Sequence, residues 1–335
     1  MTIRLRRRLA ASVLLAALFG LALGAFGGLT PFLDVFAHLT GHFIGAAIGG
    51  LIALAWPRRA FAILGAAAIA TLAIHASQAA RGQIPAGDSD GHFASLSGDA
   101  LKIVSFNTWH GHGDHQRIAS FLEREKPDLA ILYEFGPPKR PLLAALKQQF
   151  PYQVGCAERW YCSVVMLSKR PFTRSGTDSR DIGPSPPMVW AEFSFGGRPL
   201  TVIGAHIMGP QVGPRGHVKE LDFVARMVQR APGHVIFAGD LNATRWGRSL
   251  ARFEQRSGLQ HMDRFLPSWP AGWRGWPQLA IDHFYVSRDI KVSDVHLGPE
   301  AGSDHLPLVG YFQTRSTGTR LTSRANRSTA FSARP

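Results

Sequence analysis

The sequence predicts an α/β protein with a mixed sheet, tethered by apolar helices. Three observations lead there. From residue 101 onward, short apolar runs that read as buried strands alternate with stretches of helical spacing. Hairpins interrupt that alternation, one of them across Gly196-Gly197, so the sheet is mixed and not purely parallel. Ahead of this, the first 80 residues are far more apolar than the remainder.

The amino-terminal part opens with Arg4, Arg6, Arg7 and Arg8, followed by an uncharged apolar run over residues 9–29. That run is long enough to cross a bilayer. A signal peptide is the competing reading, and two further apolar stretches, 35–56 and 60–80, weigh against it. The expectation is therefore three transmembrane helices. Basic residues orient them: the arginine cluster and the Arg58-Arg59 loop both favour the cytoplasm, whereas the first loop carries Asp34 and no Lys or Arg. Three crossings place everything after residue 80 outside the cytoplasmic membrane, in the periplasm of a bacterium. If 35–56 does not span, the domain returns to the cytoplasm. His38 and His42 lie four apart on one helix face and receive no role.

Residues 81–98 form a polar linker with Gly, Pro, Ser and Asp. Strands follow at 102–106, 129–132, 152–156, 163–167, 189–195, 199–205, 234–238, 281–286 and 306–312. Helical spacing marks 114–125, with Ile118, Phe121 and Leu122 on one face, and also 141–150, 216–230 and about 247–256. Residues 315–335 are rich in Ser, Thr and Arg and read as a disordered tail.

The chain of 335 residues carries a formal net charge of +14, but residues 91–314 contribute only +5 of it. That is less than tight duplex binding demands, so a nucleic-acid partner is not imposed by charge. Cys156 and Cys162 have neither zinc nor redox spacing. They would face each other across a hairpin, as a disulfide outside the cytoplasm or as two buried thiols.

Polar residues recur where strands stop or start. Asn107 and Glu134 end two strands, His206 a third, and Asp240 with Asn242 a fourth, in Gly239-Asp240-Leu241-Asn242. There Gly239 is expected to turn the chain sharply. A simple helix cap by Asn242 is the plain alternative for that motif on its own. Asp282 starts another strand, and Ser303-Asp304-His305 precedes the last. Phosphoester cleavage needs this set: carboxylates and an amide oxygen for a hard cation, a His for proton transfer, and a carboxylate to hold its tautomer. His283 should point away from Asp282. His110, His112 and His115 read as a solvated loop, and Trp269, Trp273 and Trp276 as packing of a Pro/Gly-rich loop.

Residues 101–312 resemble the endonuclease/exonuclease/phosphatase superfamily. The matching stretches are Val104-Ser105-Phe106-Asn107-Thr108-Trp109, Tyr133-Glu134, Ala205-His206, Gly239-Asp240-Leu241-Asn242-Ala243-Thr244, Ile281-Asp282-His283 and Gly302-Ser303-Asp304-His305-Leu306-Pro307. The resemblance implies two mixed sheets packed as a sandwich with helices outside, over 99–314. It also implies a phosphoesterase using Mg²⁺ or Mn²⁺, on nucleic acid or a phospholipid head group. Glu134, Asn107 and Asp304 resemble its metal ligands, His305 its catalytic imidazole and Asp282 the carboxylate orienting it. Asp240 and Asn242 resemble the pair that positions water and phosphate, and His206 a phosphate contact. Tyr133 stands where the family often has Gln, and Arg245 where it often has Pro. The alternatives are a catalytically inactive membrane-anchored binding module on the same fold and, less well supported, a transporter with a soluble appendage.

Overall fold

The computed structural model describes residues 2–55, 100–157, 162–179, 185–262, 265–273 and 278–314. The predicted span at 60–80, the linker, Trp276 and the tail lie outside the described residues.

Two six-stranded sheets pack face to face. The first has the order β11-β12-β1-β2-β4-β3, in which β3 is Tyr152–Gly155 and β4 Val165–Ser168, and the second β5-β6-β7-β8-β10-β9, in which β6 is Met188–Phe195 and β9 Gln260–His261. Their central strands are β1 (Ala100–Asn107), β2 (Leu129–Tyr133), β7 (Arg198–His206) and β8 (His234–Asp240). β1 and β2 run parallel, as do β7 and β8; the other pairings are antiparallel, so both sheets are mixed. The continuous apolar runs follow from burial of both faces of these strands. In β8, Ile236 and Ala238 enter the layer between the sheets, and Val235 and Phe237 meet the helices outside. β1 repeats the pattern, with Ile103 inward and Val104 outward.

The outer layers come from helices whose apolar stripes match the sequence reading. α4 (His115–Glu125) buries Ile118, Phe121 and Leu122, with Asp114 capping its first turn through the Gln116 and Arg117 N–H groups. α6 (Pro214–Arg230) and α7 (Arg248–Ser257) cover the second sheet through Leu221, Val224, Leu250 and Phe253. The helix expected over 141–150 is shorter: α5 spans Pro141–Ala145, and turns carry Leu146 and Phe150 into the core. β5 (Arg174–Asp178) and β11 (Ile290–Leu297), absent from the sequence reading, add a strand at an edge of each sheet. β5 has no apolar side chain, whereas in β11 Ile290, Val292, Val295 and Leu297 pack on the core but a bulge between Val292 and Asp294 breaks their alternation.

The apolar amino terminus forms a hairpin. α1 (Ile3–Ala25) is long and apolar enough to cross a membrane. The predicted span at 35–56 is instead broken: α2 (Pro31–Ala37) and α3 (Thr40–Ala55) meet at a bend of 55°. α3 returns antiparallel along α1, with Gly50 beside Ala10 and Leu14, and Gly20 beside Phe43.

The bend exists because α2 serves the globular domain. Asp34 is buried, and its carboxylate accepts from the N–H groups of Arg248 at 2.8 Å and Ser249 at 3.0 Å. It thereby caps α7, whose own N-cap residue, Gly247, has no side chain to do so. His38 accepts from the Thr244 N–H at 3.1 Å, and its carbonyl accepts from the Thr244 hydroxyl at 3.1 Å. The amino-terminal hairpin is therefore bonded into the wall beside Asn242. Nothing in the local pattern of 35–56 announces this.

Candidate active site

Strand register assembles the site. In the second sheet His206 lies opposite Asp240, and Asp240 opposite Asp282, across β7, β8 and β10 (Asp282–Val286). In the first, Asn107 lies opposite Tyr133, with Glu134 the next residue. The loop before β12 (Leu308–Thr314) brings in Ser303, Asp304 and His305. Every one of these positions is at the same end of the sandwich.

Hydrogen bonds join the two sheets there. Asn107 donates to Glu134 at 3.1 Å and to Asp240 at 2.8 Å. Its own amide oxygen accepts from the Trp109 N–H. Asp282 accepts from His305 Nδ1 at 2.8 Å, which leaves His305 Nε2 facing Asp240 at 3.7 Å. A carboxylate can only accept, so Nδ1 carries a hydrogen. Ser303 fixes this segment by donating to the Asn107 carbonyl and accepting from the His305 N–H. His206 Nε2 stands 3.7 Å from Glu134, 3.8 Å from Asp240 and 3.3 Å from the Asn242 amide.

Local backbone geometry departs from the sequence expectation in two places. Gly239 does not turn the chain; it lies within β8, where a Cβ would sit 2.6 Å from the Ala205 carbonyl, so glycine permits close strand approach. Asn242 is not a helix cap either. It adopts φ 50°, donates to the Ile207 carbonyl and faces His206, while α7 starts only at Arg248. Trp109 and Glu134 also have positive φ, at 55° and 52°. Non-glycine residues in this region carry a conformational cost that surrounding contacts must offset, and such residues concentrate at functional sites.

The carboxylates are electrostatically distinct. Burial and the adjacent charge of Asp282 push Asp240 above the usual carboxylate range, against His305, His206 and Asn107. Burial pushes Glu134 the same way, but His206, Asn107, the His110 N–H and His305 together bring it below that range. For His305, burial disfavours the charge, yet Asp282 and Asp240 outweigh it and hold the imidazole up at about 10. The arrangement thus pairs a carboxyl that retains a proton more readily with an imidazolium held between two acids.

One group of metal donors stands together, beside the set that the sequence resemblance implies. Among the described residues, Asp240, Asp282 and His305 have ligand atoms within 4.8 Å of one another. There, however, the imidazole is already bonded to Asp282. Glu134, Asn107 and Asp304 offer carboxylate and amide oxygens, the donors a hard divalent cation takes. Asp304 currently directs Oδ2 to the Trp269 indole N–H at 3.1 Å. The oxygen-rich composition of the site fits a hard cation.

Some contributors were not legible beforehand. Lys139 is fully buried and donates to the carbonyls of Trp109, His110 and Glu134, tying the 107–113 loop to the Glu134 turn. Burial lowers its ammonium to about 8, against the field of Glu134. A lone Lys after Pro137-Pro138 gives no sequence signal for this role. His283, set aside in the sequence reading, is buried away from the site, against His261 and the Ala243 carbonyl. The tryptophan loop is less packed than expected: Trp273 is 55% exposed and Trp269 36%.

Residues 104–305 match the model of the endonuclease/exonuclease/phosphatase family. The chain belongs to that family. It is accordingly a hydrolase of phosphate-ester bonds. Solved structures share the fold. TDP2 of D. rerio, complexed with a single-strand DNA product, is 19% identical, with a TM-score of 0.53 over 64% of this chain and 99% of that one. An endonuclease/exonuclease/phosphatase from Bacteroides vulgatus is 15% identical, with a TM-score of 0.54 over the same shares. No curated protein matches the chain in sequence.

Proposed function

We propose that this chain is a membrane-anchored, divalent-metal-dependent phosphoesterase using Mg²⁺ or Mn²⁺. The observation that carries the reading is the line Asp282–His305–Asp240, hydrogen-bonded at 2.8 Å on one side of the imidazole and facing a carboxylate at 3.7 Å on the other, with Asn107 joining Asp240 to Glu134. Glu134, Asn107 and Asp304 would hold the cation, which supplies Lewis acidity and neutralises phosphoryl charge. Asp240 accepts the proton of the attacking water, and Asn242 orients that water. The His305 imidazolium, oriented by Asp282, stabilises negative charge on the phosphoryl oxygens, with His206 beside it. Glu134→Gln should lower hydrolysis of a soluble phosphodiester by at least the roughly 10–100-fold that loss of a group merely supporting a metal ligand costs. Chelation with EDTA should abolish the activity and added Mg²⁺ or Mn²⁺ restore it. Full activity in Glu134→Gln, or indifference to EDTA, would sink the reading.

The same reading places the catalytic domain outside the cytoplasmic membrane. Arg4, Arg6, Arg7 and Arg8 favour an inside start for α1, which puts its far end and α2 outside. α2 is bonded to Thr244, Arg248 and Ser249, so the catalytic domain belongs on that side as well. The return of α3 then calls for a further crossing, and residues 60–80 have the composition for it. The Cys156–Cys162 disulfide, with Cα atoms 5.7 Å apart, supports an oxidising compartment. An alkaline-phosphatase fusion at Gly98 should be active and a fluorescent-protein fusion dark; the reverse pattern would overturn this orientation.

A further inference from the structure

Exposed large apolar side chains are not scattered over the catalytic domain. Among the described residues after 100, they are Trp109, Tyr152, Val212, Phe265, Trp269 and Trp273. All but Tyr152 lie in loops at the active-site end of the sheets. Trp109 follows the end of β1, Val212 follows β7, and Phe265, Trp269 and Trp273 fill the connection leading to Asp282. Phe265 is 63% exposed and Val212 77%. Soluble domains rarely gather exposed apolar groups on one rim without a partner.

The amino-terminal hairpin docks on that same end. Thr244, bonded to His38, is two residues from Asn242. Arg215, three residues after Val212, stacks its guanidinium over the Phe32 ring at 5.6 Å. Arg248 donates to the carbonyl of Ala25, the last residue of α1. Phe26, Leu29 and Phe32, at the hairpin tip, are 59%, 78% and 53% exposed. An apolar surface thus runs from the exposed face of α1, through the tip with its two arginines, to the lip of the catalytic cleft. Aromatic residues and arginines in this arrangement suit the polar boundary of a bilayer.

We propose that the active-site rim rests on the bilayer that α1 enters, and that the phosphoester it hydrolyses is carried on a membrane lipid. This rests on the phosphoesterase reading above and narrows it. The hydrolysis adds water across one P–O bond: the water oxygen ends on phosphorus, and the leaving alcohol takes up a proton.

The test uses the full-length protein reconstituted in vesicles of phosphatidylethanolamine and phosphatidylglycerol, with Mg²⁺. Loss of intact lipid is followed by mass spectrometry, beside bis(p-nitrophenyl) phosphate and a single-stranded oligonucleotide in solution. Phe265→Ser and Trp273→Ser should each lower lipid turnover about tenfold, the equivalent of one side chain losing its apolar burial. Hydrolysis of the soluble ester should be unchanged. Fluorescence quenching by brominated lipid should fall in Trp273→Phe, showing contact without reference to activity. Soluble-ester hydrolysis with inert lipid, or oligonucleotide cleavage that alone responds to the two Ser variants, would overturn the lipid proposal and leave the phosphoesterase reading standing. Absence of hydrolysis on every substrate would overturn both.

Discussion

His305→Ala should lower kcat on a soluble phosphodiester by about 10²–10³-fold, the range lost with a preorganised group that stabilises developing negative charge. Asp282→Asn should lose nearly as much, although it keeps the size and much of the shape of the side chain. The reason is in the hydrogen bond. Asp282 Oδ2 accepts from His305 Nδ1 at 2.8 Å, and the pair is almost wholly buried. Asn can turn its amide N–H toward Nδ1, which favours the other tautomer and removes the negative charge that sustains the imidazolium. Asp282 Oδ1 is buried without a donor of its own among the described residues, so the carboxylate is directed to this one partner. The expected signature is a fall in kcat with little change in KM, an unchanged circular dichroism spectrum, and strong non-additivity in the double variant. Losses that simply multiply would mean the two residues do not act as a unit.

Asp34→Ala is the second large effect, and it lies far from the chemistry. The substitution strips the cap from α7 and leaves the part-buried Arg248 N–H and the buried Ser249 N–H without an acceptor. A cost of about 3 kcal/mol follows from cap loss and unsatisfied donors together. For a domain of this size that corresponds to a fall in Tm of about 6–12 °C. Activity should fall as well, because the freed segment contains Thr244 and leads directly from Asn242. Asp34→Asn retains one oxygen acceptor and should recover part of both losses. Separating the catalytic domain from residues 2–55 should be more damaging than Asp34→Ala, since it also removes His38 from Thr244. If Asp34→Ala melts and turns over like the parent chain, the hairpin contact is incidental and the domain is autonomous.

Much of the site was legible because the relevant residues end or begin strands, and apolar strands are conspicuous in sequence. Asn107, Glu134, His206, Asp240 and Asp282 each sit at the edge of a run buried on both faces. The motifs in family order then identified the sandwich, although strand periodicity alone could not say how the strands divide between two sheets. β5, which has no apolar run, and β11, whose apolar alternation is interrupted by a bulge, lack the continuous run by which the central strands were found.

By itself, then, the sequence determined the mixed α/β class, the apolar amino terminus, the family and the residues grouped at strand ends, because these depend on local composition and order. Tertiary structure alone decided that 35–56 bends at 55°, since the bend lets Asp34 reach α7 across 214 residues of chain. It also decided that Lys139 braces the Glu134 turn and that Asn242 takes a left-handed backbone instead of capping a helix. Each of these is set by a buried polar group finding its partner far away in sequence. An unpaired donor or acceptor in the interior costs more than a local preference contributes, so the distant partner prevails.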